Sequence, residues 1–342
     1  MKTQKTYTGK FILFLSLLCL VILVNLSLGS VDIPFKSIFQ IIVANDSNQE
    51  TWRYIILHYR LPKAITAILV GSGLSISGLL MQTLFRNPLA GPFVLGISSG
   101  ASLGVAILVL GVSAFSGSLV GFAFSNIGFA IAASLGAFLV LSVVMIVAKN
   151  IKNTMSILII GLMFGSFTAA VISILAYFSS AASLQQYVFW TFGSLGNLGW
   201  NEIIILCTIT LISIGLLLTM IKPLNSLLLG ENYAISLGVN LKRTRNLIMI
   251  ITGLLTGVIT AFSGPIAFIG LAVPHLTKLI IKTSNHKIIL PAVAILGAII
   301  MLISDIIAQL PTSEYTLPIN AVTSLFGAPI VIWLLIRKRT PH

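Results

Sequence analysis

Side chains that carry chemistry are scarce in this 342-residue sequence. Only 8% of its residues are charged, and it holds seven carboxylates, four histidines and two cysteines. A soluble domain has roughly 25% charged residues. No G-x-x-x-x-G-K-[ST] phosphate loop is present, which excludes a nucleotide-hydrolysing site of that type. His58, His275, His286 and His342 form no H-E-x-x-H or comparable ligand spacing, and no nucleophile pairs with a base by spacing. Neither a catalytic residue nor a metal ligand is therefore expected. Cys19 and Cys207 each fall inside an apolar run and read as packing residues. Asp32, Asp46, Glu50, Glu202, Glu231 and Glu314 lie in loops or at the ends of apolar runs. Asp305 alone lies within one, where it reads as an acceptor of hydrogen bonds from neighbouring helices rather than as a coupling-ion site.

Apolar residues make up 57% of the chain, and several runs reach the 18 or so residues that span a bilayer as helix. The pattern predicts an all-α, polytopic membrane protein with ten spans near 11–30, 64–84, 95–114, 119–148, 155–178, 203–221, 246–262, 266–281, 288–309 and 318–336. The eighth is short and carries Pro274. The first follows a basic start but lacks a small-x-small cleavage site, so it is expected to remain as a span rather than be removed as a signal peptide. Charge tests the count, because cytoplasmic loops are rich in Lys and Arg. With the N-terminus inside, 16 of the 20 cations fall on the inner side. The remaining four, Lys36, Arg53, Arg60 and Lys63, lie in or beside the first outer loop. Both termini are thus expected to be cytoplasmic. The net charge of +13 follows from topology and implies no nucleic-acid partner.

One stretch interrupts the apolar pattern. "LLLGENYAISLGVNLKRTRN" (227–246) is polar and lies between the sixth and seventh spans of what is otherwise a single domain, 1–342. Tyr233, Ala234 and Leu237 fall at helical spacing on one apolar face that needs a cover, Glu231 sits where a helix dipole favours a carboxylate, and Gly238 suits a C-terminal stop. Such a helix either lies on lipid headgroups and neighbouring loops or forms a docking surface for a soluble partner.

The blocks "RLPKAITAILVGSGLSISGLLMQTLFRNPLAGPFVLGISSGASLG" (60–104), "LLLGENYAISLGVN" (227–240), "GPIAFIGLAVPH" (264–275) and "LPINAVTSLFGAPIVIWLL" (317–335) resemble the signatures of the FecCD/BtuC family in order and spacing. These are permease subunits of binding-protein-dependent ABC importers for ferric siderophores, haem and cobalamin, with a ten-helix BtuC-like fold in the cytoplasmic (inner) membrane. The resemblance implies that the chain binds no cofactor itself and that a separate cytoplasmic ABC ATPase uses the ATP. It also implies an extracytoplasmic substrate-binding protein and a second permease subunit, identical or paralogous.

The same resemblance gives the residues roles. Gly230, Glu231, Tyr233, Ala234, Leu237 and Gly238 match the ATPase-coupling loop. Arg60 and Lys63, with Arg53 nearby, match the basic residues that receive the binding protein, although simple interfacial anchoring is the plain alternative. A further basic position found in some members is Gln309 here. Asn87 and Leu89 in "RNPLAGP", with Thr154 and Met155, match the cytoplasmic gate. "SLQQYVFWTFGSLGNLGW" (183–200) resembles an external helix beside the substrate entrance. The expected cargo is a ferric siderophore, with haem or cobalamin as the alternative. A sodium-coupled secondary transporter is the alternative outside the family.

Overall fold

The computed structural model describes residues 2–29, 31–41, 50–111, 125–149, 151, 154–310 and 315–337. Among these residues no strand occurs. The helices are α1 (Lys2–Ser27), α2 (Phe35–Phe39), α3 (Glu50–Ile55), α4 (Leu61–Leu84), α5 (Ile97–Gly111), α6 (Asn126–Ala148), α7 (Thr154–Phe178) and α8 (Ala181–Thr191). They continue with α9 (Trp200–Thr219), α10 (Ile221–Leu228), α11 (Glu231–Ser236), α12 (Leu241–Ser263), α13 (Ile269–Ile281), α14 (His286–Ala308) and α15 (Ile319–Arg337).

Among the described residues each expected span overlaps an apolar helix; residue 30 and the parts at 112–114 and 119–124 lie outside them. Seven have the length and composition to cross a membrane: α1, α3 with α4, α6, α7, α9, α12 and α14. The apolar helices α5, α13 and Ile319–Trp333 of α15 are shorter.

Boundaries differ where side chains override hydropathy. The second span begins at Glu50 rather than near residue 64, because α3 runs through a π-helical turn, Ile56–Arg60, into α4. Pro62 has no N–H to return to the preceding turn. The wider turn absorbs that defect, with Leu61 N donating to Ile56 O. The seventh span begins earlier than expected, at Leu241, since Asn240 caps α12 by accepting from Arg243 N at 3.0 Å.

Burial sorts the helices into a centre and a shell. In their most apolar windows α4, α12 and α14 are 78%, 72% and 67% buried, against 17% for α7 and 28% for α9. The central helices approach closely through glycine. A methyl on Gly71 of α4 or Gly297 of α14 would overlap the other's carbonyl, so the two backbones touch with no side chain between them. A G-x-x-x-G pair on α5 also packs within this same chain: Gly100 and Gly104 lie on Gly136 and Ala132 of α6.

Irregular backbone enters the bundle between α12 and α13, where Gly264 and Phe268 adopt positive φ values of 72° and 65°. Protein groups meet part of its polar backbone. Asn320 Oδ1 accepts from Ala267 N at 3.1 Å, and Ser263 O accepts from Ser194 N at 2.9 Å.

Candidate functional site

Two polar constellations occupy opposite ends of the bundle. The first is built on α10 and α11, at the end rich in Lys and Arg. Gly230 turns the chain from α10 into α11 at φ 114°, a conformation that side chains resist. After α11, Gly238 N donates to Ile235 O at 2.8 Å and Val239 N to Ala234 O at 3.0 Å, with Gly238 at φ 79°. These paired bonds form the left-handed C-terminal stop expected of Gly238. Arg245, in the first turns of α12, anchors α11 by a 2.7 Å ion pair to Glu231.

α11 presents an apolar surface, though not the predicted one. Ala234 is fully buried, while Leu229, Tyr233, Ile235 and Leu237 are 63%, 53%, 56% and 56% exposed. The expectation that Ala234 shares the outward face with Tyr233 and Leu237 is corrected. A six-residue helix packed against α10 and α12 keeps its smallest apolar side chain for the close contact, and Ile235 takes the outer place. Beside this surface, Arg86, Gly230, Glu231, Asn232, Tyr233 and Ser236 help line an open concavity of about 680 Å³.

The four residues expected at a cytoplasmic gate lie on two separate segments. Asn87 Oδ1 accepts from Leu89 N at 2.9 Å, closing the turn after α4 and leaving Leu89 exposed. Met155, also exposed, follows Thr154 at the start of α7; the Thr154 side chain lies outside the described residues.

At the opposite end, a cavity of about 800 Å³ is lined by Tyr59, Arg60, Lys63, Phe189, Phe192 and Asp305 among others. Lys63 Nζ lies 3.0 Å from Asp305 Oδ1, and that carboxylate is 2% exposed. Asp305 Oδ2 also accepts from Asn25 Nδ2 at 2.9 Å and Gln309 Nε2 at 2.6 Å. Asp305 thus receives hydrogen bonds from neighbouring helices, as read from the sequence, and a cation as well. Arg60 donates to Leu26 O at 2.6 Å and Ser27 O at 2.7 Å, and also to Val31 O. It satisfies the free carbonyls at the end of α1. Arg53 is half-buried on α3. The structure therefore brings Arg60 and Lys63 to one cavity.

Sequence reasoning missed the ties behind the first constellation. Asn225 Oδ1 of α10 accepts from His286 N at 2.8 Å and from His286 Nδ1 at 2.9 Å. His286 Nε2 lies 2.9 Å from Thr83 Oγ1 of α4. These partners are 61 and 203 residues apart, a separation with no local sequence signature.

The chain matches the FecCD transport family over residues 17–337. It is 36% identical over 281 residues to the vitamin B12 import system permease protein BtuC of Citrobacter koseri, covering 82% of each chain. The protein of that name from Klebsiella pneumoniae is 37% identical over 281 residues, again covering 82% of each. A metal-chelate type ABC transporter solved in an inward-facing conformation superposes with a TM-score of 0.83 at 29% identity, covering 98% of this chain and 99% of that one. PsaBC from Streptococcus pneumoniae, solved with a Fab, shares the fold with a TM-score of 0.54 at 16% identity, over 82% and 92% of the two chains. The apolar helices, the paired polar ends and these likenesses converge: this chain belongs to the FecCD transport family, as a multi-pass inner-membrane permease of a BtuC-type ABC importer.

Proposed function

We propose that the chain moves a bulky metal chelate inward, driven by a separate ATPase that seats α11 in a cleft. The observation that carries this reading is the apolar surface of Leu229, Tyr233, Ile235 and Leu237 at the Lys- and Arg-rich end, which needs a cover. Arg245 and the two glycine turns hold α11 rigidly, so a partner that alternates between two arrangements pushes on helices α10 and α12 without chemistry in the permease. At the other end, Arg60, Lys63 and nearby Arg53 offer positive charge to a substrate-binding protein. Lys63 has three donors, so a carboxylate arriving from outside shares its ammonium with Asp305. A second permease subunit completes the pathway, whose gate includes Asn87, Leu89, Thr154 and Met155. ATP is consumed only by the partner.

For cargo, the family resemblance supports a ferric siderophore. The vitamin B12 importers among the relatives favour cobalamin as the second reading. Uptake of each labelled compound, with and without this chain, separates them.

The deciding experiment is co-purification of the tagged chain from its native membrane. An ATPase subunit is expected to travel with it and to be lost with Leu237→Asp. Full burial of a leucine is worth about 1.5–3 kcal/mol, so the charge is expected to weaken binding at least about tenfold. Recovery of the chain alone under conditions that keep other ABC complexes whole would instead support a self-sufficient, sodium-coupled carrier.

A further inference from the structure

The two constellations sit at the two ends of the same helix pair. α4 carries Lys63 near its start and Thr83 near its end; antiparallel α14 carries Asp305 near its end and His286 at its start. The Lys63–Asp305 ion pair therefore closes one end of the pair, and the Thr83–His286 contact closes the other. Between them Gly71 and Gly297 bring backbone against backbone, with Ser75 and Met301 packed tightly beside the contact, so a displacement of one helix is passed to the other. The closed end near His286 is also fastened to α10. Asn225 Oδ1 accepts from the first backbone N–H of α14, a group that no turn of that helix can satisfy, and from the imidazole Nδ1–H as well. Asn225 Nδ2 donates in turn to Asn285 Oδ1, the cap residue of α14, at 3.1 Å. α10 leads directly into α11, so a shift of α11 is passed through α10 to α14 and α4.

We propose that α4 and α14 act as one transmission strut joining the Lys63 cavity to the α10–α11 segment, with Asp305, His286 and Asn225 as its positioning residues. The proposal rests on the import reading for its biological use. A carboxylate that docks on Lys63 draws charge away from Asp305 and so biases one end of the strut. The ATPase holds the other end through α11.

Amide hydrogen exchange on the purified chain in lipid nanodiscs tests this without either partner. Asp305→Asn keeps the shape of the side chain, removes its charge and turns one of its two acceptor oxygens into an amide donor. It is expected to speed exchange across residues 221–237 about tenfold, although roughly 30 Å of α14 separates the two ends. Asn225→Ala is expected to speed exchange across residues 300–309 in return. α6, which stands outside the strut, should exchange at its original rate in both variants. Acceleration confined to the altered end, or spread equally over α6, would overturn the proposal. Neither result bears on co-purification of an ATPase, and loss of co-purification leaves this readout intact, so the two readings fail separately.

Discussion

At the scale of single residues, the Lys63–Asp305 pair is asymmetric. Asp305 is 2% exposed, whereas Lys63 keeps 24% of its side chain open to the cavity. Removing the cation strands a buried carboxylate; removing the anion leaves an ammonium that can still reach water. Lys63→Met is therefore expected to destabilise the chain by about 2–3 kcal/mol and Asp305→Asn by about 1 kcal/mol. Thermal unfolding in detergent compares them, and equal losses would contradict the asymmetry. Both residues stand out in the sequence, one as a basic docking position and one as the lone carboxylate inside a span. Their partnership does not, because it depends on how two distant helices pack. Ala234 shows the converse. Helical spacing puts it near Tyr233 and Leu237, but a short helix turns toward whichever side chain permits close approach, and spacing alone does not say which.

At the scale of elements, long apolar helices were legible and their junctions were not. A bilayer imposes about 20 apolar residues on a span, so composition marks α1, α6, α7, α9, α12 and α14 directly. The α3–α4 continuity hides behind Pro62, whose missing N–H is accommodated by a π turn. The polar 227–246 stretch reads as one small helix but divides: α10 ends within it, α11 occupies its middle, and its cations belong to α12. Close packing of α4 on α14 predicts a strict size limit. Gly297→Ala puts a methyl against the Gly71 carbonyl and Ser75, and is expected to cost about 1–3 kcal/mol, seen as a lowered unfolding midpoint. An unchanged midpoint would mean that the two helices separate freely.

For the whole molecule, charge asymmetry is the main statement of orientation. Leu237 lies at the end where the cations gather and is open to reagents, whereas Cys19 and Cys207 lie in apolar helices. Leu237→Cys, in a background lacking both native cysteines, is expected to react with a membrane-impermeant thiol reagent in inside-out vesicles and to stay unlabelled in intact cells. Labelling from outside would invert the topology and remove α11 from any cytoplasmic ATPase.

The tether on α1 also bears on how the chain is made. α1 leaves the ribosome well before α14, and beyond the Arg60 bonds to its last carbonyls two of its fastenings come late. Lys10 donates to Ile280 O at 2.6 Å, and Asn25 meets Asp305, which lies 280 residues further on. At synthesis rates of about 5–20 residues per second, α1 waits in the lipid on the order of tens of seconds for that partner. Its outward leucines and isoleucines suit lipid throughout, whereas Asn25 lacks its Asp305 acceptor until α14 arrives.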